Sequence, residues 1–106
     1  MSNTEQTFGQ AVSETRKKLG WSQKELASKI QREDRESISP QYLNDIEHDR
    51  RNPSSDNIVK QFARILKRDK DWLYYLAGKF PTDVRKRNLS EEDIKQLMVA
   101  FRKHSR

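Results

Sequence analysis

Trp21-Ser22-Gln23-Lys24-Glu25-Leu26-Ala27, then Ile38-Ser39-Pro40-Gln41-Tyr42-Leu43-Asn44-Asp45-Ile46-Glu47 and Arg50-Arg51-Asn52-Pro53-Ser54, decide how this chain folds. Ser22 and Ser39 each stand just before an apolar-periodic run, where a hydroxyl oxygen accepts from the otherwise unpaired N–H groups of a first helical turn. Pro40 follows at the first helical position, where its missing N–H costs nothing. Two capped helices in tandem are therefore predicted. Leu26, Ala27 and Ile30 form the apolar face of the first, and Leu43 and Ile46 that of the second. Gln23, Gln41 and Asn44 point away from those faces, and their carboxamides are groups that can pair with base edges.

Working outward, Phe8, Val12, Thr15, Arg16 and Leu19 recur at helical spacing, and Gly20 is placed to end that helix. Downstream, Ser54 or Ser55 can cap a fourth helix whose Ile58, Phe62, Ile65 and Leu66 make a buried stripe, with Lys60, Arg64 and Lys67 facing out. Asp69 caps a fifth, Lys70 to Ala77, closed by Gly78 before Pro81. Its Trp72, Leu73, Tyr75 and Leu76 are expected to complete the core. The stretch Lys79 to Asn88 combines Pro81 with the consecutive bases Arg85, Lys86 and Arg87 and reads as a linker. In a last helix, Ser90 and Asp93 approximate a capping box, Glu91 and Glu92 favour its positive end, and Ile94, Leu97, Met98 and Phe101 form an apolar stripe. A lone helix of that length is marginal in water. The stripe must bury against something, either a second copy in a dimer interface or its own chain.

These residues resemble the helix-turn-helix DNA-binding domain of Cro/C1-type (XRE-like) bacterial and phage regulators. The resemblance covers residues 8 to about 78 and rests on Phe8, Val12 and Arg16, on Ser22-Gln23-x-Glu25-Leu26-Ala27, on Tyr42-Leu43-x-x-Ile46-Glu47, and on Arg50-Arg51-x-Pro53-Ser54. It implies an all-α fold, a five-helix lambda-repressor-like domain, here followed by the C-terminal amphipathic helix. It also implies a homodimer bound to a double-stranded DNA operator through helix 40–47 in the major groove. The expected organisation is a disordered tail over 1–6, the DNA-binding domain over 7–78, a basic linker over 79–89 and the last helix over 90–106.

Roles follow residue by residue. Gln41 and Asn44 are the expected base readers; Asp45 could accept from cytosine N4 or repel a phosphate, and Tyr42 could meet a thymine methyl or shield the core. Ser22, Gln23, Ser39, Arg50, Arg51 and Asn52 occupy positions that in the family touch backbone phosphates and fix register. Arg16 and Glu47 match the family's ion pair between the first helix and the end of the third. One departure is the segment Gln31-Arg32-Glu33-Asp34-Arg35-Glu36-Ser37, about six residues longer than the usual Gly-containing turn. It either extends the second helix by a turn or bulges as a solvated loop, and such lengthening costs little closure entropy.

Composition bounds what else the chain can be. Its 106 residues, with 32% hydrophobic content, suit one small helical core. With no Cys and two scattered His, neither a disulfide framework nor a metal site is expected, and no cofactor-cradling Gly-rich loop exists among three Gly. The chain also lacks a nucleophile, base and orienting group in one constellation, so no catalytic residues are expected. No apolar run reaches the length of a membrane span or signal core, leaving the cytoplasm as the default compartment.

The net charge of +6 suits a polyanionic partner, yet it is unevenly spread. Residues 31–56, which include the reading helix, carry four bases and seven acids, whereas 57–87 carry nine bases and three acids. That local deficit argues for modest affinity per monomer and for dimerisation. The alternative is an antitoxin or adaptor that uses the same fold to bind protein through the acidic insertion or the last helix. Regulators of this type are often paired with a partner that relieves repression, including metallopeptidases that cut the C-terminal part; the linker and last helix would be the target.

Overall fold

In the computed structural model, which describes residues 6–53, 55–80 and 82–104, each of the first five helices begins at a side-chain cap. Before α1 (Phe8–Lys18), Thr7 accepts from Gln10 N–H; before α2 (Gln23–Ser28), Ser22 accepts from Glu25; before α3 (Pro40–Glu47), Ser39 accepts from Tyr42. Ser55 does the same for α4 (Asp56–Leu66) and Asp69 for α5 (Lys70–Leu76). Ser54, the other expected cap for α4, lies outside the described residues. Such caps each contribute about 1 kcal/mol, which matters for helices of six to eight residues that are unstable alone. Two more helices, α6 (Thr82–Arg85) and α7 (Glu91–His104), make seven among the described residues, with no strand. The fold is all-α.

The core lies where α1 packs on α3 and α4, α2 on α3, and α4 on α5. Val12, Leu26, Ile30, Leu43, Ile46, Val59 and Phe62 are fully buried, and Phe8 meets Phe62 edge to face with ring centroids 5.8 Å apart. Leu19, the C-cap residue of α1, is exposed although it continues the helical spacing of Val12, Thr15 and Arg16. One sequence expectation needs correction. In α5 the core aromatic is Tyr74, fully buried beside Leu73, with its hydroxyl donating to Asp56 O at 3.3 Å. Trp72 and Tyr75, an i,i+3 pair, fall on the opposite side and stack on each other at 5.6 Å in the open.

The segment 31–37 does not extend α2; it is a solvated loop, exposed at every residue, and it is ordered. It folds back on itself. Ile38 N–H donates to Ile30 O at 2.9 Å, Arg32 N–H to Glu36 O at 2.8 Å, and Gln31 and Ser37 form an antiparallel bridge. Arg35, at φ 71°, makes the reversal that a Gly makes elsewhere. From α4, the buried Gln61 clamps the base of this turn: Gln31 N–H donates to Gln61 Oε1, and Gln61 Nε2 donates to Gln31 O, both at 2.7 Å. At the tip, the Asp34 carboxylate accepts from Glu36 N–H and pairs with Arg32, and these contacts hold its pKa below the usual carboxylate range.

The expected linker also contains structure. Residues Thr82–Arg85 form one helical turn, and Arg85 pairs with Asp56 in the first turn of α4. The box before α7 is complete, with Asp93 N–H donating to Ser90 Oγ and Ser90 N–H to Asp93 Oδ2, each at 3.1 Å. Of the expected tail, residues 1–5 lie outside the described residues, while Gln6 Nε2 donates to Glu14 Oε1 at 2.7 Å. Residues 105 and 106 of the expected last helix are likewise outside. Among the described residues, no helix is long and apolar enough to cross a membrane.

Candidate nucleic-acid interface

The surface of interest begins with how α3 is held. Arg16 Nε donates to Glu47 Oε2 at 2.6 Å and Arg16 Nη2 to Glu47 Oε1 at 2.9 Å, a bidentate pair joining α1 to the end of α3. The third guanidinium nitrogen, Nη1, donates to Trp21 O at 2.8 Å, so one arginine fixes α1, α3 and the entry to α2. The two side chains are 10% and 3% exposed, which makes this a buried pair with every polar atom used. Gln23, at the first position of α2, donates from one nitrogen to Glu47 Oε1 at 2.9 Å and to Asn44 Oδ1 at 3.1 Å. Gln23 is thus a half-buried strut between α2 and α3, and Asn44 is oriented by it.

Along the outer face of α3, Gln41 is exposed and donates to Asp45 Oδ1 at 3.1 Å. Arg50 reaches the same oxygen with Nε and Nη2 at 3.1 and 3.0 Å. Asp45 therefore sits neutralised between a carboxamide and a guanidinium. Tyr42 is half-buried beneath the Arg51 guanidinium, whose carbon is 5.1 Å from the ring centroid. Ser22 and Ser39 use their oxygens as caps and can still donate through their hydroxyls, and Asn52 is exposed beyond α3. Gln41, Tyr42, Asn44, Asp45, Arg50 and Arg51 are thus gathered on or beside one short helix, with Gln23 linked to its middle.

Between the 31–37 turn and α3 runs a groove of about 390 Å³, lined by Arg32, Ser39, Gln41, Tyr42, Asp45 and Arg51. The stripe on α7 is separate. Ile94, Leu97 and Met98 are half-buried and Phe101 is 55% exposed, and α7 takes part in none of the extensive helix pairings. No group of His, Cys, Asp or Glu able to hold a metal ion occurs among the described residues.

Three residues that position this surface escaped the sequence reading. Thr7 Oγ1 donates to Asp49 Oδ2 at 2.6 Å and Gly9 N–H to Asp49 Oδ1 at 3.1 Å, so the carboxylate just after α3 sits on the positive end of α1. Gly9 itself lies against the α3 carbonyls, leaving no room for a Cβ. The Thr7-x-x-Gln10 spacing was a legible capping box, and a glycine one residue inside a helix was a legible sign of close approach.

No curated protein and no solved structure matches the chain. A family model described as a helix-turn-helix domain does match, over residues 9–79, from the first turn of α1 to just past α5. The match takes in the capped α2–α3 pair, the Arg16–Glu47 brace and the outward carboxamides together. The chain belongs to this DNA-binding helix-turn-helix family.

Proposed function

We propose that this chain is a Cro/C1-type transcriptional regulator, a repressor that binds a palindromic operator as a homodimer with α3 in the major groove. The observation that carries the reading is the outer face of α3. There an exposed Gln41 and an Asn44 oriented by Gln23 stand beside Arg50 and Arg51, a pairing of base-reading amides with phosphate-seeking cations. In that pose Gln41 and Asn44 read bases with Tyr42 and Asp45 alongside, while Ser22, Gln23, Ser39, Arg50, Arg51 and Asn52 face the backbone.

Selection of bound duplexes from a random pool at near-physiological salt tests this. The wild type is expected to enrich a two-fold symmetric motif with half-sites about 34 Å apart. Gln41→Ala should leave the fold intact and relax preference at one base pair by about 1–3 kcal/mol. Asn44→Ala relaxes preference as well, and it leaves Gln23 bonded to Glu47 alone, so its effect should spread to a second position. A folded protein that enriches no motif would instead favour an adaptor or antitoxin that uses this fold to bind protein.

The dimer is assigned to the α7 stripe. Leu97→Glu or Phe101→Glu should halve the mass measured in solution and weaken operator binding while residues 7–78 keep their unfolding midpoint. An unchanged mass would remove α7 as the seam.

A further inference from the structure

The seven acids within 31–56 set against four bases look unfavourable for DNA, but the structure changes that arithmetic. Glu47 is buried against Arg16, Asp49 is held by Thr7 and Gly9 N–H at the start of α1, and Asp56 is paired with Arg85. Their charges are answered within the fold. Three of the four bases of the same region converge instead. Arg32 and Arg51 line the groove beside α3, and Arg50 lies against Asp45 on its wall. The buried Ile38 and Ile58 form the floor, and the Gln61 clamp fixes the root of the turn from which Arg32 projects. Glu33 and Glu36 are exposed on the turn.

We propose that the 31–37 turn is part of the DNA-contacting surface, with Arg32 binding a backbone phosphate across the groove from Arg51, next to the base pair faced by Gln41. The proposal rests on the DNA-binding reading and adds to it a contact from outside the two helices. Arg32 is paired with Asp34 at 2.8 Å, with the two side chains 55% and 56% exposed. An exposed pair of this kind contributes little, so the guanidinium can exchange a carboxylate for a phosphate at small cost. A guanidinium presents a fork suited to phosphate oxygens.

The test is the salt dependence of binding, measured on the selected duplex and on a scrambled duplex of equal length. Loss of one phosphate contact lowers the slope of log K against log salt by about 0.9. The homodimer carries Arg32 twice, so Arg32→Ala should lower the slope by about 1.8 on both duplexes, because a phosphate contact carries no sequence information, and Arg32→Lys should retain most of the slope. Lys103→Ala on α7 serves as the control and leaves the slope unchanged. Asp34→Asn keeps the oxygen that accepts from Glu36 N–H but removes the competing charge, so binding should tighten several-fold. If Arg32 only braced the turn, Asp34→Asn would tighten binding no more in the wild type than in Arg32→Ala. An unchanged slope in Arg32→Ala, with the wild type steeply salt-dependent, overturns this proposal and leaves the regulator standing. Absence of salt-dependent duplex binding by the wild type overturns both.

Discussion

Glu47→Ala should lower the unfolding free energy by about 3–5 kcal/mol, the usual cost of removing one member of a buried ion pair. The carboxylate accepts from Arg16 Nε, Arg16 Nη2 and Gln23 Nε2, so its loss strands three donors, two of them on a guanidinium that stays charged. Trp21 O is the only acceptor left to that arginine among the contacts described. For a domain of this size each kcal/mol moves the thermal midpoint by about 4–8 °C, so the change is large in a melting curve. A paired substitution, Arg16→Met with Glu47→Leu, should recover much of the loss, because it removes both charges together. A Glu47→Ala loss under about 1 kcal/mol would mean that water reaches the pair and that it behaves as a surface bridge. The expected large value would identify Arg16–Glu47 as the brace that sets the angle of α3 to α1.

What the sequence made legible was local or patterned. Caps at Ser22, Ser39, Ser55 and Asp69 follow from a polar residue placed before an apolar period, and that rule needs nothing from the rest of the chain. The same is true of the Ser90–Asp93 box. The gathering of Gln41, Tyr42, Asn44 and Asp45 on one helix follows from their spacing alone. What lay hidden depends on partners distant in sequence. Gln61 was one more polar residue in a helix until its carboxamide met both backbone groups of Gln31, thirty residues earlier. That clamp turns the insertion into a pinned reversal, an outcome that loop length could not decide. The bonds of Gln23 to Asn44 and Glu47 were likewise hidden, and only the approach of α2 to α3 shows them. In α5, Tyr74 and Tyr75 are the same residue type and Trp72 stands two positions before Tyr74, so hydrophobicity cannot choose among them, and the helix can turn only one face inward. The contacts of α4 select the face with Leu73 and Tyr74.

Gly9→Ala should destabilise the domain by about 1–3 kcal/mol or more, the range for forcing extra volume into a well-packed contact. Helix propensity alone argues the reverse, since alanine in a helix is favoured over glycine by about 1 kcal/mol. The sign of the measured change therefore reports which effect governs the α1–α3 contact. An added Cβ would lie 2.7 Å from Glu47 O and from Asp49 Oδ1, and closer still to Ile46 O. Two of these three atoms are backbone of α3 and its end, so no rotamer change relieves the clash. α1 must then lift away from α3, stretching the 3.1 Å bond from Gly9 N–H to Asp49. Gly9, Val12 and Arg16 share one face of α1 at i, i+3 and i+7, so the displacement passes along the helix to the bidentate pair with Glu47. Urea unfolding of Gly9→Ala beside Glu47→Ala and the double variant tests that linkage. Effects that sum to clearly more than the double variant shows would mean that the close approach at Gly9 and the ion pair hold α3 as one unit. Additive effects would separate them, and an alanine variant as stable as the wild type would show that α1 has room to move against the reading helix.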